Sequence, residues 1–222
     1  EFLLKNPDYD YKFYDDEDIF YFIKENYDKS TLKAYNDLQI GASKADFWRY
    51  LVLYKCGGVY LDIDAVLYRD LDDLIREDDV AIITREGNTN LFVQWCLMFD
   101  KGHFFLEKTI ERCERNILER IHHHTLHATG PNAYSHIIHE SFRKLREMFG
   151  IENLHTYHAT DEQISESLLK YADLYYEKTG ENIKCRFYKK DYGDFLHFKN
   201  KNAAQLYIEV PNWLHDPRGM YK

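Results

Sequence analysis

Two aspartates, Asp62 and Asp64, follow an apolar run in the segment VYLDIDA. In a β-strand, side chains two residues apart point to the same side, so we expect both carboxylates to project together where the strand leaves its sheet. Carboxylates that converge there repel each other unless a cation or hydrogen-bond donors lie between them. Because hard divalent cations prefer carboxylate and phosphate oxygens, the pair predicts a divalent-metal site for a phosphorylated ligand.

A second pair of charged residues lies on the helix that is predicted over residues 43–55. Asp46 and Arg49 are three residues apart, so they share one helix face. The Gly57-Gly58 turn then directs that face toward the two aspartates. Taken alone, the pair would be an intrahelical ion pair worth a few tenths of a kcal/mol. Together with the glycines and the aspartates at this spacing, it favours a functional site.

Hydrophobic periodicity predicts the elements that must position these residues. Helices are predicted from residue 15 or 16 through DDEDIFYFIKENYD, and over residues 43–55, 105–121, 132–149 and 161–176. Strands are predicted over residues 59–63, 79–84, 185–188, 195–198 and 206–210, whereas residues 90–99 fit either a strand or a short helix. The alternation early in the chain predicts an α/β layered sheet.

Length and composition restrict the class of protein. We expect residues 1–222 to form a single domain, since 222 residues are enough to bury a substantial core. The formal net charge of −9 argues against nucleic acid as a partner. No apolar run approaches the ~20 residues of a membrane span. The cysteines Cys56, Cys96, Cys113 and Cys185 lie too far apart for a zinc or disulfide pattern, so we expect reduced thiols.

The segment ADFWRYLVLYKCGGVYLDID, residues 45–64, resembles the DXD signature of the sugar-nucleotide glycosyltransferases of family 32. That family includes the yeast initiating mannosyltransferases and bacterial capsule transferases, and it is related to the clostridial glucosylating toxins. Residues 6–23 upstream are similar to the segment that precedes this motif in the family. Downstream, residues 70–74 and the Thr-Gly-Pro triplet at 129–131 also fit.

The resemblance implies an α/β fold of the GT-A type, which is a Rossmann-like fold with a mixed central sheet flanked by helices. It implies a retaining transfer of a hexose from a UDP- or GDP-linked donor to a glycan, protein or lipid-linked acceptor. Mn²⁺, or Mg²⁺, would be the cofactor that bridges the donor phosphates. The compartment stays open, since relatives occur in bacterial or viral cytoplasm and in the Golgi lumen.

The resemblance also implies a role for each residue of the motif. Asp64 would bind the metal, and Asp62 would contact the ribose or the sugar and support the metal site. Asp46 and Arg49 would hold hydroxyls of the transferred sugar, with Arg49 near the phosphate. Nothing in the sequence identifies a carboxylate nucleophile on the opposite face of the sugar, so we expect front-face attack by the acceptor hydroxyl.

Two further positions, Gly58 and Tyr60, would shape the turn and the strand against the nucleotide. The family tends to end with a histidine that closes the metal site. The segments FLHFKN and PNWLHD make His197 the first candidate for this ligand and His215 the second. Family members usually begin with an I-P-K-I-I-H-like strand, and this chain starts after it at Glu1, so we expect one strand and one pocket wall to be missing.

Two other hypotheses compete with this interpretation. VYLDIDAVL also resembles the first motif of haloacid-dehalogenase-type phosphatases, in which Asp62 would be the nucleophile and Asp64 the general acid. The residues that precede the motif argue against it, because that motif normally opens its domain. A catalytically inactive domain that binds nucleotide sugars or glycans is the second hypothesis. Finally, His123 and His127 have an i, i+4 spacing that suits zinc, but no third ligand is evident.

Overall fold

A four-stranded sheet organises the fold. The computed structural model describes residues 6–63, 65–67, 69–86, 90–151, 160–188, 195–196 and 220–221. The described strands are β1 (Gly58–Leu61), β2 (Val66–Leu67), β3 (Ala81–Ile83), β4 (Cys96–Phe99), β5 (Arg186–Phe187) and β6 (Phe195–Leu196). The sheet has the order β1-β4-β3-β5, in which β4 is antiparallel to both neighbours and β3 is parallel to β5. β2 and β6 form a separate antiparallel pair. The predicted mixed α/β sheet is confirmed.

Helices flank this sheet. Those in the described ranges are α1 (Asp16–Asn26), α2 (Lys29–Asp37), α3 (Gly41–Cys56), α4 (Leu71–Leu74), α5 (Phe104–Leu118), α6 (Thr125–Ala128), α7 (Pro131–Phe149) and α8 (Asp161–Thr179). Every helix predicted from periodicity is confirmed to within a few residues, whereas α2 was missed because its sequence KSTLKAYND is short and polar. Within the same ranges, no helix combines the length and apolar character that crossing a membrane requires.

Local sequence signals explain where these helices begin and end. Asp15 caps α1, since its side chain accepts hydrogen bonds from the backbone of Glu17 and Asp18. Pro131 occupies the start of α7, where a missing N–H costs nothing. α3 ends at Gly57, which adopts φ +68°, and a Cβ there would lie 2.8 Å from the backbone nitrogen of Lys101. Glycine is therefore required at the turn between α3 and β1.

The sheet buries both of its faces. Alternate residues of β3 and β4 belong to two apolar clusters, as their period of two requires. The cluster on one face contains residues of the long helices, among them Phe47, Tyr50, Leu51, Phe105 and Phe142. The cluster on the other face contains Leu71, Leu74, Ile82, Val93, Trp95, Cys96 and Met98. Burial on both faces explains why residues 90–99 lack a clear period, and β4 shows that the end of this run is a strand.

β1 is shorter than predicted, and the cysteines are unpaired. β1 ends at Leu61, earlier than the predicted residue 63, because the N–H of Ala65 turns back to the carbonyl of Asp62 at 2.9 Å. The predicted strand over residues 206–210 lies outside the described residues. The four cysteines are free thiols, as predicted, and Cys96 and Cys113 are buried.

His103 links the start of α5 to the segment before β5. Its Nδ1 accepts a hydrogen bond from the N–H of Phe105 at 3.2 Å, and its Nε2 lies 3.0 Å from the carbonyl of Lys184. This pattern requires a neutral imidazole with the proton on Nε2. Burial lowers the pKa of His103 to about 4, against the opposing effect of the Lys184 carbonyl.

The buried His103 should make the fold sensitive to acid. A lowered pKa means that the unfolded chain takes up a proton below about pH 6.5 while the folded chain does not. We therefore expect wild type to lose roughly 3 kcal/mol of unfolding free energy between about pH 6.5 and pH 4, relative to His103→Asn, which keeps a helix-capping side chain without a titration. Urea unfolding across this range measures the difference, and parallel pH profiles for the two proteins would exclude His103 as the cause.

Candidate functional site

Arg49 is the centre of a buried polar network between α3 and the end of β1. Its side chain is 5% exposed. Its Nη2 lies 2.9 Å from Oδ1 of Asp46 and 3.1 Å from Oδ1 of Asp62, and its Nη1 donates to the backbone carbonyl of Gln94 at 3.0 Å. The guanidinium also stacks on Tyr60, with its carbon 4.9 Å from the ring centre. These contacts hold the positive charge in one position.

Asp62 lies just beyond β1 and is the more exposed of the two carboxylates. Its Oδ1 accepts a hydrogen bond from the hydroxyl of Tyr60 at 3.0 Å as well as the ion pair from Arg49, and its backbone N–H donates to the carbonyl of Trp95 at 2.9 Å. The side chain remains 21% exposed. Asp62 can therefore face a bound ligand while the network fixes its position.

Asp46 lies deeper, on the α3 side of Arg49, and its side chain is 11% exposed. Nε2 of Gln94 donates to its Oδ1 at 2.7 Å, and Oγ1 of Thr129 donates to its Oδ2 at 3.5 Å. The carbonyl of Thr129 in turn accepts a hydrogen bond from the hydroxyl of Tyr50 at 3.1 Å. Both oxygens of Asp46 are thus bonded, as a buried carboxylate requires.

Burial and neighbouring charges shift the pKa values of Asp46 and Arg49. Desolvation raises the pKa of Asp46 to about 7, and the charge of Asp62 adds to this rise, although Arg49 and Thr129 oppose it. Desolvation alone would lower the pKa of Arg49, but Asp62, Tyr60 and Asp46 outweigh it and raise that pKa above its ordinary value. The site therefore combines a permanent cation with a carboxyl group whose pKa is raised toward neutral pH.

Comparison with known proteins gives a family match for the part of the chain that contains Asp46, Arg49 and Asp62. Residues 1–81, which include α1, α2, α3 and β1, match the family described as "Glycosyltransferase sugar-binding region containing DXD motif". In this region the chain is similar to the glycosyltransferases of family 32. The resemblance drawn from residues 45–64 is confirmed.

The chain is similar to proteins that are named as mannosyltransferases. It is 32% identical over 142 residues to "Inositol phosphoceramide mannosyltransferase 3" of Schizosaccharomyces pombe, an alignment covering 63% of this chain and 38% of the relative. It is 29% identical over 132 residues to "Initiation-specific alpha-1,6-mannosyltransferase" of Candida albicans, covering 49% of this chain and 34% of the relative. The chain thus spans little more than a third of the length of these curated relatives.

A solved structure supports the fold assignment. The chain named "PaToxG Glycosyltransferase" superposes with a TM-score of 0.53 at 16% sequence identity, and the match covers 77% of this chain and 75% of that chain. At this identity the likeness concerns the fold alone. Together with the mixed sheet and its flanking helices, it confirms the predicted GT-A-like α/β fold of the family 32-like protein.

The structure brings together some of the predicted site residues and not others. Asp46, Arg49, Tyr60 and Asp62 form one network, although Asp62 reaches it from a turn and not, as expected, from the strand itself. Gly58 does not join them, because it lies at the opposite end of β1 and pairs with Phe99. Asp64, His197 and His215 lie outside the described residues, so their roles stay predictions.

Sequence reasoning missed Gln94 and did not foresee the role of Thr129. Gln94 is a polar residue inside the apolar run LFVQWCLMF, and a buried amide in such a run needs hydrogen-bond partners. That isolated polarity was the available signal, but the sequence could not reveal that its partner would be Asp46, which lies 48 residues earlier.

The histidines near the end of α5 do not form the suspected zinc pair. α5 ends at Leu118, so His123 and His127 do not share a helix, and the ring of His123 packs against Tyr221. His124 instead caps α6. Across the described ranges, no group of three histidine, cysteine or acidic side chains is arranged to hold a metal ion.

Gly130 holds the loop that brings Thr129 to Asp46, and its replacement is predicted to disturb the site. A Cβ at this position would lie 2.8 Å from Cα of Leu126 and 2.9 Å from the carbonyl oxygen of Thr125, so the backbone must move. We expect Gly130→Ala to cost about 1–3 kcal/mol of unfolding free energy. The control is Gly41→Ala, since no atom lies within 4 Å of a Cβ at Gly41. Chemical unfolding that ranks the two variants as equal would contradict this prediction.

Proposed function

We propose that this family 32-like protein is a metal-dependent, retaining glycosyltransferase that moves a hexose from a nucleoside-diphosphate sugar to a hydroxyl of a glycan or lipid-linked acceptor. The observation that supports this proposal is the network of Asp46, Arg49 and Asp62 between α3 and the end of β1, within the region that matches the DXD family. We further propose that residues 1–222 act as one catalytic domain.

In this proposal Arg49 supplies a preorganised positive charge. Its guanidinium is fixed by Asp62, by the carbonyl of Gln94 and by the ring of Tyr60, so little reorganisation is needed when a donor binds. It would donate hydrogen bonds to hydroxyls of the transferred sugar and to the phosphate, where negative charge develops as the glycosidic bond breaks. A buried dipole or charge aimed at developing charge typically contributes several kcal/mol.

Asp46 would orient the sugar through hydrogen bonds to its carboxyl group, in the ionised or the protonated form. In its ionised form it accepts a hydrogen bond from a hydroxyl, and in its protonated form it donates one. Because burial holds its pKa at about 7, both forms are available near neutral pH. Gln94 and Thr129 keep the carboxylate in place in either form.

The proposed metal would be held by Asp64 and His197 with Asp62 in support. Asp62 fits such a role, since its carboxylate is positioned by Arg49 and Tyr60 and is still 21% exposed. It does not form a metal site by itself, because one of its oxygens is already engaged in that network. When bound, Mn²⁺ or Mg²⁺ would neutralise charge on the departing diphosphate.

The names of the relatives guide the choice of substrates to test. Both relatives described above are named as mannosyltransferases, which supports mannose as the transferred hexose. GDP-mannose is therefore the first donor to assay, followed by UDP-glucose and UDP-galactose. One relative is named for inositol phosphoceramide, which supports a lipid-linked hydroxyl as one acceptor class.

The decisive experiment is a donor-binding and donor-hydrolysis screen with and without Mn²⁺. We expect Asp64→Ala to abolish metal-dependent donor binding while leaving the melting temperature close to that of wild type, because the proposed metal would lose its main ligand. Asp73→Ala removes an exposed aspartate of α4 and serves as the matched control. Equal affinity of wild type and Asp64→Ala for donor plus Mn²⁺ would refute the metal assignment.

The same screen separates the competing hypotheses. Stabilisation by a donor without hydrolysis or transfer would favour the inactive binding domain. The phosphatase alternative is disfavoured by geometry, because β1 pairs with an antiparallel neighbour and Oδ1 of Asp62 is already bonded to Arg49 and Tyr60. Rapid hydrolysis of a phosphomonoester that disappears in Asp62→Asn would revive it.

A further inference from the structure

A group of basic side chains lies where α5 and α7 pack together, and none of them is a member of the network around Arg49. It consists of Arg112 and Arg115 on α5, His122 and His127 after α5, and His136 on α7, and we call it the α5–α7 basic cluster. The positive charge of Arg112 acts on the imidazoles of both His122 and His136, and that of Arg115 acts on His136. The rings of His122 and His127 have their centres 5.7 Å apart. The five side chains therefore share one local surface.

Arg112 is the unusual member of this cluster. The residue is half-buried, and its Nε is buried without a hydrogen bond to any residue that the structure describes. A buried, unpaired donor is destabilising, and more so when it is charged. Burial and the neighbouring charge of Arg115 both lower the pKa of Arg112. By contrast, Arg49 and Arg186 each bind a carboxylate.

The carboxylate of Glu140 does not neutralise the positive charge of the cluster. Its charge acts on both Arg112 and His136. However, its two oxygens bind the guanidinium of Arg143 at 3.3 and 2.8 Å, and Arg143 also binds Glu147. Arg143 therefore engages Glu140, and in the part of the chain that the structure describes no ion pair joins Glu140 to Arg112.

We propose that the α5–α7 basic cluster is a binding site for an oxyanion of the phosphate or sulfate class. A guanidinium presents a planar fork of donors that matches such oxygens, and the imidazoles add donors on either side. The oxyanion could be a free ion or the headgroup of an anionic lipid, and the same chemistry would bind both. This site is independent of the proposed transferase activity.

Binding should strengthen as the pH falls. His122 and His136 both have lowered pKa values, caused first by burial and then by neighbouring positive charge, so both are largely neutral near pH 7. A bound dianion favours their protonated forms and therefore takes up protons. The charged and titratable groups that act on these two imidazoles are Arg112, Arg115, His127, His139 and Glu140.

Thermal unfolding with sulfate tests the site, since sulfate keeps its charge between about pH 5.5 and pH 7.5. At a sulfate concentration about ten times its Kd, we expect the melting temperature of wild type to rise by about 3–5 °C over sodium chloride of equal ionic strength. The rise should be larger at the lower pH. General salt effects are common to all variants and cancel in the comparison.

Arg112→Met is the decisive variant, because it keeps the apolar stem and removes the buried unpaired donor. We expect its melting temperature without sulfate to equal or exceed that of wild type and its sulfate-dependent rise to disappear. Arg143→Met, which removes an exposed and paired arginine, should keep the full rise. Should Arg112→Met fail to fold, Arg112→Lys and Arg115→Met replace it. A full rise in the Arg112 variant tested, or no rise in wild type, would overturn the proposal.

Vesicle sedimentation identifies the source of the oxyanion. Wild type and Arg112→Met are compared on phosphatidylcholine vesicles with and without phosphatidylinositol. Binding that needs both phosphatidylinositol and Arg112 supports a headgroup site, whereas a sulfate response without vesicle binding supports a site for a free ion. Absence of both responses refutes the site.

Discussion

The variant Arg49→Met is expected to lose at least tenfold in donor turnover and about 3–5 kcal/mol of unfolding free energy at neutral pH. Removing the guanidinium leaves the buried carboxylate of Asp46 and the partly exposed carboxylate of Asp62 without their common cation. Methionine keeps the apolar stem of the side chain, so the loss reports the charge and not the packing. Urea unfolding and donor hydrolysis measure the two effects separately.

The pH dependence of this variant provides an internal check. Without Arg49, the folded-state pKa of Asp46 rises further above its unfolded value near 4, so the folded chain retains a proton that the unfolded chain releases. Stability should then be greatest at low pH and fall as the pH rises through the folded-state value. Arg143→Met is the control, since an exposed ion pair contributes little to stability. Equal losses in the two variants would show that burial adds nothing at Arg49.

A conservative replacement separates charge from geometry at the same position. Arg49→Lys retains a cation, but an ammonium cannot bind Asp46, Asp62 and the carbonyl of Gln94 with the spread of a guanidinium. We expect most of the stability to return and most of the turnover to stay lost. This outcome would show that the planar guanidinium of Arg49, and not its charge alone, positions the donor.

The helices of this protein could be predicted from sequence because their signals are local. α3 has apolar residues at i, i+3 and i+4, and Phe47, Tyr50 and Leu51 are indeed fully buried. The acidic start of α1 and the Gly-Pro start of α7 likewise depend on neighbours within a few residues. Such signals do not require knowledge of the tertiary structure.

The candidate site could be predicted only in part, because its contacts are distant in sequence. The motif placed Asp46, Arg49 and Asp62 in one site, but the strict alternation assumed for residues 59–63 did not apply once β1 ended at Leu61. Gln94 reaches Asp46 from a segment 48 residues later in the chain, and no periodicity encodes that contact. The pair Asp46 and Arg49 was worth a few tenths of a kcal/mol as an exposed helix pair, and burial changes that value.

The isosteric change Gln94→Glu should have the second large effect, and its size should depend on pH. Nε2 of Gln94 donates to Oδ1 of Asp46 at 2.7 Å, so a glutamate would place a second carboxylate against the first. The main-chain carbonyl that binds Arg49 stays unchanged. Two buried carboxylates at this distance must share a proton, which raises the folded-state pKa of the pair.

The sign of this effect follows from the raised pKa. Below about pH 4 the carboxyl groups at positions 94 and 46 are protonated in both the folded and the unfolded protein. The folded variant can then still form a hydrogen bond between these two residues. As the pH rises, the unfolded chain ionises first, so the variant should lose about 3 kcal/mol relative to wild type by about pH 8. Wild type should show the same trend more weakly, because burial is the main cause that raises the pKa of Asp46 to about 7. Urea unfolding across this range measures both.

Gln94→Leu distinguishes the added charge from the lost donor. It removes the hydrogen bond to Asp46 without adding a carboxylate, so it should cost about 1–3 kcal/mol with a pH profile close to that of wild type. If the Glu and Leu variants gave the same pH profile, the amide of Gln94 would not control the protonation of Asp46. If they diverge as expected, the pH profile of donor turnover should shift with the stability profile in Gln94→Glu, because the same proton at Asp46 governs both.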